Sequence, residues 1–564
     1  MFTPRIGLLA LLFLTLSSTG FAGGYQSRLY VDSEVAISGG GSSWGDAIKY
    51  LQDAITEAQG LNQQGSGPVE IWVARGIHYT DQDLGNPAGS GNRNRSFNLY
   101  DSITMYGGFK GDETSLSQRP LDVLTGGPNA TLLSGPVSAG GAYHVVDGSF
   151  AIGNNPTHYD VAQLNGFIVA HGNADGAGSK QDGAGFYSSF GRQRIANCLF
   201  ANNHAVDEGG AVYVDGVDTH VDMFNCIVRG NTAFLGGGVY TTGGSYFLFA
   251  HGTVVENGEY TGGGSPTGGG GAQHNGAGTE ARYYSSTLYG NLDSLGAHFD
   301  VTNSAELLFG NCILWGGESS NGNSDVGFTT GNVTFSDCIV EGGTTLVEQI
   351  ATGSITLQND FLSSDPDFLN APIGNYGIFP SSPGVDMGSN GWVHADRGDI
   401  DQDGDTSEKT PLDLALNPRL VGAAYDFGAY EVGCVAVNYC ASSLNSSGSN
   451  ARMAWQGSCR VSEQDLTLIA NGVPNTPGIF FFGSAQNQVP FGDSLLCLTS
   501  NIKRLTINFG SSNTLSYTVD WNHPAIASNF LPGNTRFIQA WFRDVAAGGA
   551  GYSTSDGLAM TFTN

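Results

Sequence analysis

Asp399-Ile400-Asp401-Gln402-Asp403-Gly404-Asp405-Thr406-Ser407-Glu408 places oxygen-bearing side chains at alternate positions around a glycine. Calcium is a hard cation that takes six to eight oxygens, and carboxylates spaced on a tight loop can surround it. Asp399, Asp401, Asp403, Asp405 and Glu408 are therefore the candidate ligands, and calcium there would be structural. A second set of residues bears on catalysis: Lys180, Asp182, Arg192, Arg194, Asp207 and Glu208. A polysaccharide lyase needs a base beside an acidic C–H bond, a part open to Lys180, Arg192 or Arg194. A glycoside hydrolase needs two carboxyl groups, a part open to Asp182, Asp207 and Glu208 on adjacent turns. Neither set forms a specific motif, so whether the protein is an enzyme stays open at this point. The glycine runs near Gly236 and 262–271 lack the Lys-Ser/Thr or strand-to-helix context of a phosphate loop.

What must position these groups is a repeat. Asn197-Cys198-Leu199-Phe200 returns as Asn225-Cys226-Ile227-Val228, and Gly209-Gly210-Ala211-Val212-Tyr213 as Gly236-Gly237-Gly238-Val239-Tyr240. Short β-type runs recurring about every 27 residues cannot each bury an apolar face alone, so they stack as a solenoid. Cys198, Cys226, Cys312 and Cys338 hold one position of this block and are expected to point inward on the coil. Asn203 and Asn231 are expected to mark a corner in the left-handed conformation. Trp44, Ile48, Leu51 and Ile55 recur with helical spacing behind Ser43, predicting a helix over 47–58 that covers the first rung. Residues 25–432 then accommodate about 15 rungs, a rod on the order of 70 Å long. From 433 onward, alternating runs such as Gly478-Ile479-Phe480-Phe481-Phe482 and Leu505-Thr506-Ile507-Asn508-Phe509 predict an antiparallel sandwich.

Charge and cysteines set the compartment and the partners. The 564-residue chain carries a net charge of -29, which disfavours nucleic acid and anionic membranes. Polyanionic glycans would also be repelled unless calcium or a local basic patch intervened. Residues 1–22 combine Arg5 with an apolar run and small residues, the pattern of a secretory signal cleaved after Ala22. No later window is apolar enough to span a membrane. In an exported chain, Cys434, Cys440, Cys459 and Cys497 read as two disulfides, with three pairings open.

Leu29-Tyr30-Val31-Asp32, Ile71-Trp72-Val73-Ala74, Tyr106-Gly107-Gly108-Phe109 and Asp426-Phe427-Gly428-Ala429-Tyr430-Glu431 resemble the opening and closing segments of secreted bacterial right-handed parallel β-helix proteins. The Gly209-Gly210-Ala211 and Phe200–Asn203 repeats are similar to those of polymorphic outer-membrane proteins, and the coil resembles that of pectate-lyase-like proteins. The acidic loop resembles EF-hand-type calcium loops at Asp399, Asp401, Asp403 and Gly404, departing at Thr410 where those loops carry glutamate. The resemblance covers roughly residues 25–432 and implies a right-handed β-helix. With the readings above, the expected fold is all-β, with a signal over 1–22, a β-helix over 23–432 with an N-terminal capping helix, and a β-sandwich over 433–564. Because that coil serves enzymes and adhesins alike, it does not decide activity. The expected function is a secreted or cell-surface structural or adhesion protein that contacts a polysaccharide or other extracellular partner without catalysis. The alternative is a calcium-dependent polysaccharide lyase or glycoside hydrolase.

Overall fold

The computed structural model describes residues 27–562 except 65–66, 126, 151–160, 260–269, 294, 320–325, 351, 380, 422–423, 433–435, 460, 462–463 and 532. The signal segment, Cys434 and part of the glycine-rich stretch after Thr261 lie outside the described residues.

Most of the chain forms large parallel sheets. One ladder runs through eleven strands, from Ser27–Val31 and Val69–Ala74 through Gly191–Ala196, Thr219–Phe224, Tyr246–Ala250 and Glu280–Tyr284 to Ser354–Leu362. A second ladder follows it around a corner, with Leu199–Ala201, Ile227–Arg229 and Thr253–Val255 in register. Parallel sheets of six and nine strands complete the turns. Alternation sends every second side chain inward, so Val221, Met223, Phe247, Phe249, Tyr283, Phe309 and Phe335 share one core at 0% exposure. Each such side chain contributes roughly 1.5–3 kcal/mol by leaving water.

Two polar or small-residue ladders fix the register. Cys198, Cys226, Cys312 and Cys338 are fully buried, and each thiol donates to the carbonyl two residues earlier at 3.2–3.3 Å. The intervening turns carry Gly252 and Ser286 at this place, and the Ser286 hydroxyl makes the same contact at 2.8 Å. The residues just before them, Asn197, Asn225, His251, Ser285, Asn311 and Asp337, have φ between 48° and 58°. Each turns the corner in the left-handed region. Burial pushes the Cys198 thiol up to about 12 and raises Cys226 and Cys338 as well, so these three are protonated packing groups. Cys226→Ala should therefore cost only about 1 kcal/mol, whereas Cys226→Asp should unfold neighbouring turns. Thiol labelling of the native protein should be slow at all four positions, and rapid labelling would contradict this packing.

The second ladder corrects an expectation. Asn203 and Asn231 do not adopt the left-handed conformation; the preceding Asn202 and Gly230 do, at φ 55° and 63°. The asparagines instead stack in the interior. Asn231 Oδ1 accepts from Asn203 N and Nδ2 at 3.0 Å, and Asn257 and Asn291 continue the pattern. Gly210 shows why glycine recurs nearby, because an added Cβ would lie 2.3 Å from the Gly237 carbonyl oxygen.

Other expectations are also revised. The α-helix spans Leu51–Gln63, and Trp44 precedes it in a separate 3-10 turn. Ser43 caps neither with its side chain. The helix still buries Leu51, Ala54, Ile55 and Ala58 against the first strands, which covers that end of the core. The long ladder ends at Leu362, so about 15 rungs was too many. Eleven strands about 4.8 Å apart span on the order of 50 Å. The described part of residues 366–432 packs on the outside of the coil as a strap whose regular structure includes the short antiparallel pair Phe368–Asn370 with Asn375–Ile378. Ile400 packs on Ala196, Phe224, Leu248, Ala250 and Tyr284, and Phe427 packs on Ile313 and Ile339.

Beyond the strap the sheets are antiparallel. A sheet containing Pro477–Gly483, Thr535–Arg543 and Lys503–Phe509 shares a core with Arg452–Gln456, Thr467–Asn471 and Thr514–Thr518. Phe480, Phe482, Trp455, Leu468 and Phe542 fill that core. Among the described residues, one disulfide joins Cys440 to Cys497. Arg452 clasps Asp367 of the strap through two bonds of 2.7 and 2.9 Å.

Candidate functional site

The acidic loop lies in the strap and is fastened to the coil beside it. Gln402 accepts from Arg119 Nε at 2.9 Å, while Arg119 donates to Gly107, Asn165 O and Asn165 Oδ1. The Asn165 amide donates to Gly398 O at 3.1 Å. Left-handed φ values at Asp399, Gln402 and Gly404 curl the backbone back on itself. Two carboxylate groups result, Asp399/Asp401/Asp403 and Asp396/Asp401/Glu408, each with ligand atoms within 4.8 Å of one another. Asp401 is common to both.

Asp405 belongs to neither group. Its carboxylate accepts from the Ser407 hydroxyl and amide at 2.7 and 2.9 Å, and those bonds lower its pKa. Asp396 takes its place, a residue outside the alternating series that the sequence reading used. Burial raises Asp396 to about 7, despite bonds from Ile400 N, with Asp401, Asp399 and Glu408 adding repulsion. Glu408 Oε1 is shut off from solvent without a hydrogen-bond donor. Hard oxygens, crowding of like charge and an orphaned carboxylate oxygen fit a divalent cation of the calcium type.

Beside the loop, the outer face of the long ladder gathers cations. Arg192 pairs with His220 and Arg194 with Asp222; the next strands bring Tyr246 and Leu248, then Glu280 and Arg282. His220 Nε2 lies 2.9 Å from Asp222 Oδ1, and its ring stacks on Tyr246 at 4.2 Å. The Arg282 guanidinium stands 5.4 Å from the Tyr246 ring and donates to Glu280 at 2.6 Å. From the strap, Arg397 approaches Asp222 at 3.9 Å, and His394 stacks on Tyr284 at 5.4 Å. Burial lowers the His394 pKa, and Arg397 lowers it further. Residues 1–432 carry 16 of the 22 basic and 45 of the 51 acidic side chains, so four arginines on one patch stand against the prevailing charge.

The sequence reading named Arg192 and Arg194 but missed their neighbours. A signal existed: Arg192, His220, Tyr246 and Glu280 all sit six residues before Cys198, Cys226, Gly252 and Ser286. Arg194, Asp222, Leu248 and Arg282 sit four before them. Lys180 does not join this patch. It lies in the turn Gly178–Gln181, 5.4 Å from the Tyr143 ring, where the chain passes to another sheet.

Asp182, Asp207 and Glu208 do come together, near that turn. Glu208 N donates to Asp182 Oδ1 at 3.3 Å, and Asp207 N donates to Gln181 O at 3.1 Å. They flank stacked tyrosines, with Tyr187–Tyr213 at 5.1 Å and Tyr213–Tyr240 at 5.8 Å. Burial, with repulsion among these acids, raises both Asp182 and Glu208 to about 7. The folded chain therefore holds protons that the unfolded chain releases between about pH 4 and 7. This contribution to stability is full at the acidic end and is lost as pH rises to 7. With chelator present, the melting temperature should fall across that window; a steady rise would contradict the arrangement.

No helix among the described residues is long and apolar enough to cross a membrane. The chain matches no protein-family model and no curated protein sequence.

Proposed function

We propose that this is an exported right-handed parallel β-helix protein of the cell surface or matrix that binds an acidic polysaccharide without cleaving it. The observation that carries the reading is the arginine patch around His220 and Tyr246, spread over four adjacent strands. Strands about 4.8 Å apart repeat at nearly the length of a sugar residue, so a chain laid along the coil meets one row of groups per strand. Guanidinium groups pair with carboxylates in two-point fashion. Within a chain of -29 charge, such a patch also localises an anionic ligand.

The non-catalytic part rests on what the patch lacks. An arginine side chain stays protonated at neutral pH and is therefore a poor proton abstractor. Asp222 stands between His220 and Arg397, and Lys180 lies away from the patch in the turn Gly178–Gln181. Calcium in the acidic loop, held by Asp396, Asp399, Asp401, Asp403 and Glu408, would pin the strap carrying Arg397. Titration with polygalacturonate and alginate tests this, with a neutral glucan as control. Binding should be confined to the acidic polymers, weaken with salt, and fall at least tenfold in Arg192→Ser/Arg282→Ser. Equal binding of the neutral glucan, or an unaffected double variant, would sink the proposal.

A hydrolase reading has one observation in its favour, the two carboxyl groups of Asp182 and Glu208 raised together to about 7. It is weaker because a hydrolase divides the roles, keeping one carboxyl protonated and the other ionised. Here one environment pushes both the same way. A reducing-sugar assay that found activity lost in Asp182→Asn would revive it.

A further inference from the structure

The outer face of the C-terminal sheet carries an apolar groove and, beside it, apolar side chains that nothing covers. The groove has a volume of about 400 Å³, with Ile479, Phe481 and Trp541 among its lining and Phe491 and Leu496 from a hairpin. That hairpin, Ala485–Phe491 with Ser494–Thr499, is fixed in place. Cys497 is bonded to Cys440, its backbone N donates to Gln539 Oε1 at 3.0 Å, and Gln539 Nε2 donates to Leu495 O at 2.8 Å. The groove is thus preformed. Arg504 is the one charged group lining it, and a sugar would find few hydrogen-bonding partners there.

On the other side of the groove lies strand Lys503–Phe509. Among the described strands of its sheet it pairs only with Pro477–Gly483, so it forms an edge. Ile507 stands opposite Ile479, and Phe509 opposite Pro477, which directs both to the grooved face. They are 65% and 75% exposed, and Phe509 is the most exposed phenylalanine among the described residues. The cross-strand row Trp541–Ile479–Ile507 therefore runs out to an open edge. One face of one module presents two apolar projections and one apolar recess.

Charge favours a second copy of the chain as the occupant. Residues 433–564 hold six basic and six acidic side chains, so the whole net charge of -29 resides in residues 1–432. Two coils repel each other, whereas two C-terminal modules do not. A projection and a recess on the same face can also be used twice across a two-fold axis, as an isologous contact requires.

We propose that the protein self-associates through this face, with Phe509 and Ile507 of each copy filling the Trp541 groove of the other. Two projecting side chains and one groove per copy make a modest contact, so the dimer is reversible and concentration-dependent. Dimerisation would place two binding coils on one particle and multiply weak glycan contacts. It does not depend on the glycan reading.

Sedimentation velocity of the full exported chain over a concentration series tests it. The wild type should pass from monomer to dimer, and added salt should not dissolve the dimer. Phe509→Ser, which removes the projection, and Trp541→Ala, which opens the recess, should each be monomeric. An equimolar mixture of the two variants should recover part of the association, because one intact contact survives, and a misfolded variant could not do this. A wild type monomeric throughout, a dimer undiminished in both variants, or a mixture that stays monomeric would overturn the proposal.

Discussion

Replacing Arg419 by methionine is expected to destabilise the folded chain by about 3–5 kcal/mol, because it leaves a buried carboxylate without its partner. Arg419 and Glu431 side chains are both at 0% exposure, with Nη1 and Oε2 3.1 Å apart. Arg419 Nη2 also donates to the Gly428 and Asp426 carbonyls at 2.7 and 3.2 Å. Glu431 accepts from Val421 N and Asp426 N at 3.0 and 3.1 Å, tying together the end of the strap. Burial pushes the Glu431 carboxyl up, and the Arg419 guanidinium pulls it back down. Without the guanidinium the acid would take up a proton, and three strap carbonyl and carboxylate contacts would be lost. Loosening should be local: proteolysis and hydrogen exchange should rise within 411–432 while the C-terminal module melts as before. Arg419→Met/Glu431→Gln should recover part of the loss, since a neutral amide can remain buried more cheaply than a lone charge. Denaturant unfolding of the three proteins checks this, and a single variant as stable as the wild type would contradict the pairing.

Calcium is expected to raise the melting temperature, and Asp401→Ala is expected to abolish that effect. Asp401 belongs to both carboxylate groups, so its removal dismantles both at once. At a concentration 100 times Kd, one bound ion stabilises the native state by about 2.7 kcal/mol. Magnesium should substitute poorly, because it demands a smaller octahedral set than a loop of this size offers. Asp405→Ala should leave most of the calcium effect in place, since that carboxylate is turned toward Ser407. Isothermal titration with each variant distinguishes the positions. Absence of binding at millimolar calcium, or Asp405→Ala proving as damaging as Asp401→Ala, would overturn this ligand set.

The regular turns were legible because each one repeats the same local solution. A left-handed corner residue, a small buried side chain and an alternating strand recur together at Asn197-Cys198 and Asn225-Cys226, and sequence spacing reveals them. The ladder partners Gly252 and Ser286 were harder to see as replacements for cysteine, since only their shape and shared corner position relate them. The strap was not legible. It has no period, and it buries Ile400, Leu414 and Phe427 singly against turns far away in sequence. Its end was therefore read as additional rungs.

The candidate site divided along the same line. The acidic loop is local, so four of its five predicted ligands fall in the two carboxylate groups, while Asp396 and the turned-away Asp405 depended on how the loop folds back. The basic residues misled because nearness in sequence is not nearness on a coil. Lys180 and Arg192 are twelve positions apart, yet Lys180 lies in the turn Gly178–Gln181 and Arg192 on the long ladder, whereas Arg194 and Asp222 are 28 apart and paired in register.

The most direct test of a glycan-binding, non-cleaving coil measures retention and product in the same sample. Polygalacturonate or alginate is incubated with the protein and calcium, bound polymer is separated, and the solution is followed at about 235 nm, where elimination would leave an absorbing unsaturated uronate. The account predicts polymer retained through the patch of Arg192, Arg194, Arg282 and Arg397, with no rise in absorbance and no new reducing ends. Sustained release of unsaturated product that disappears in Arg192→Ser or Arg194→Ser would contradict it.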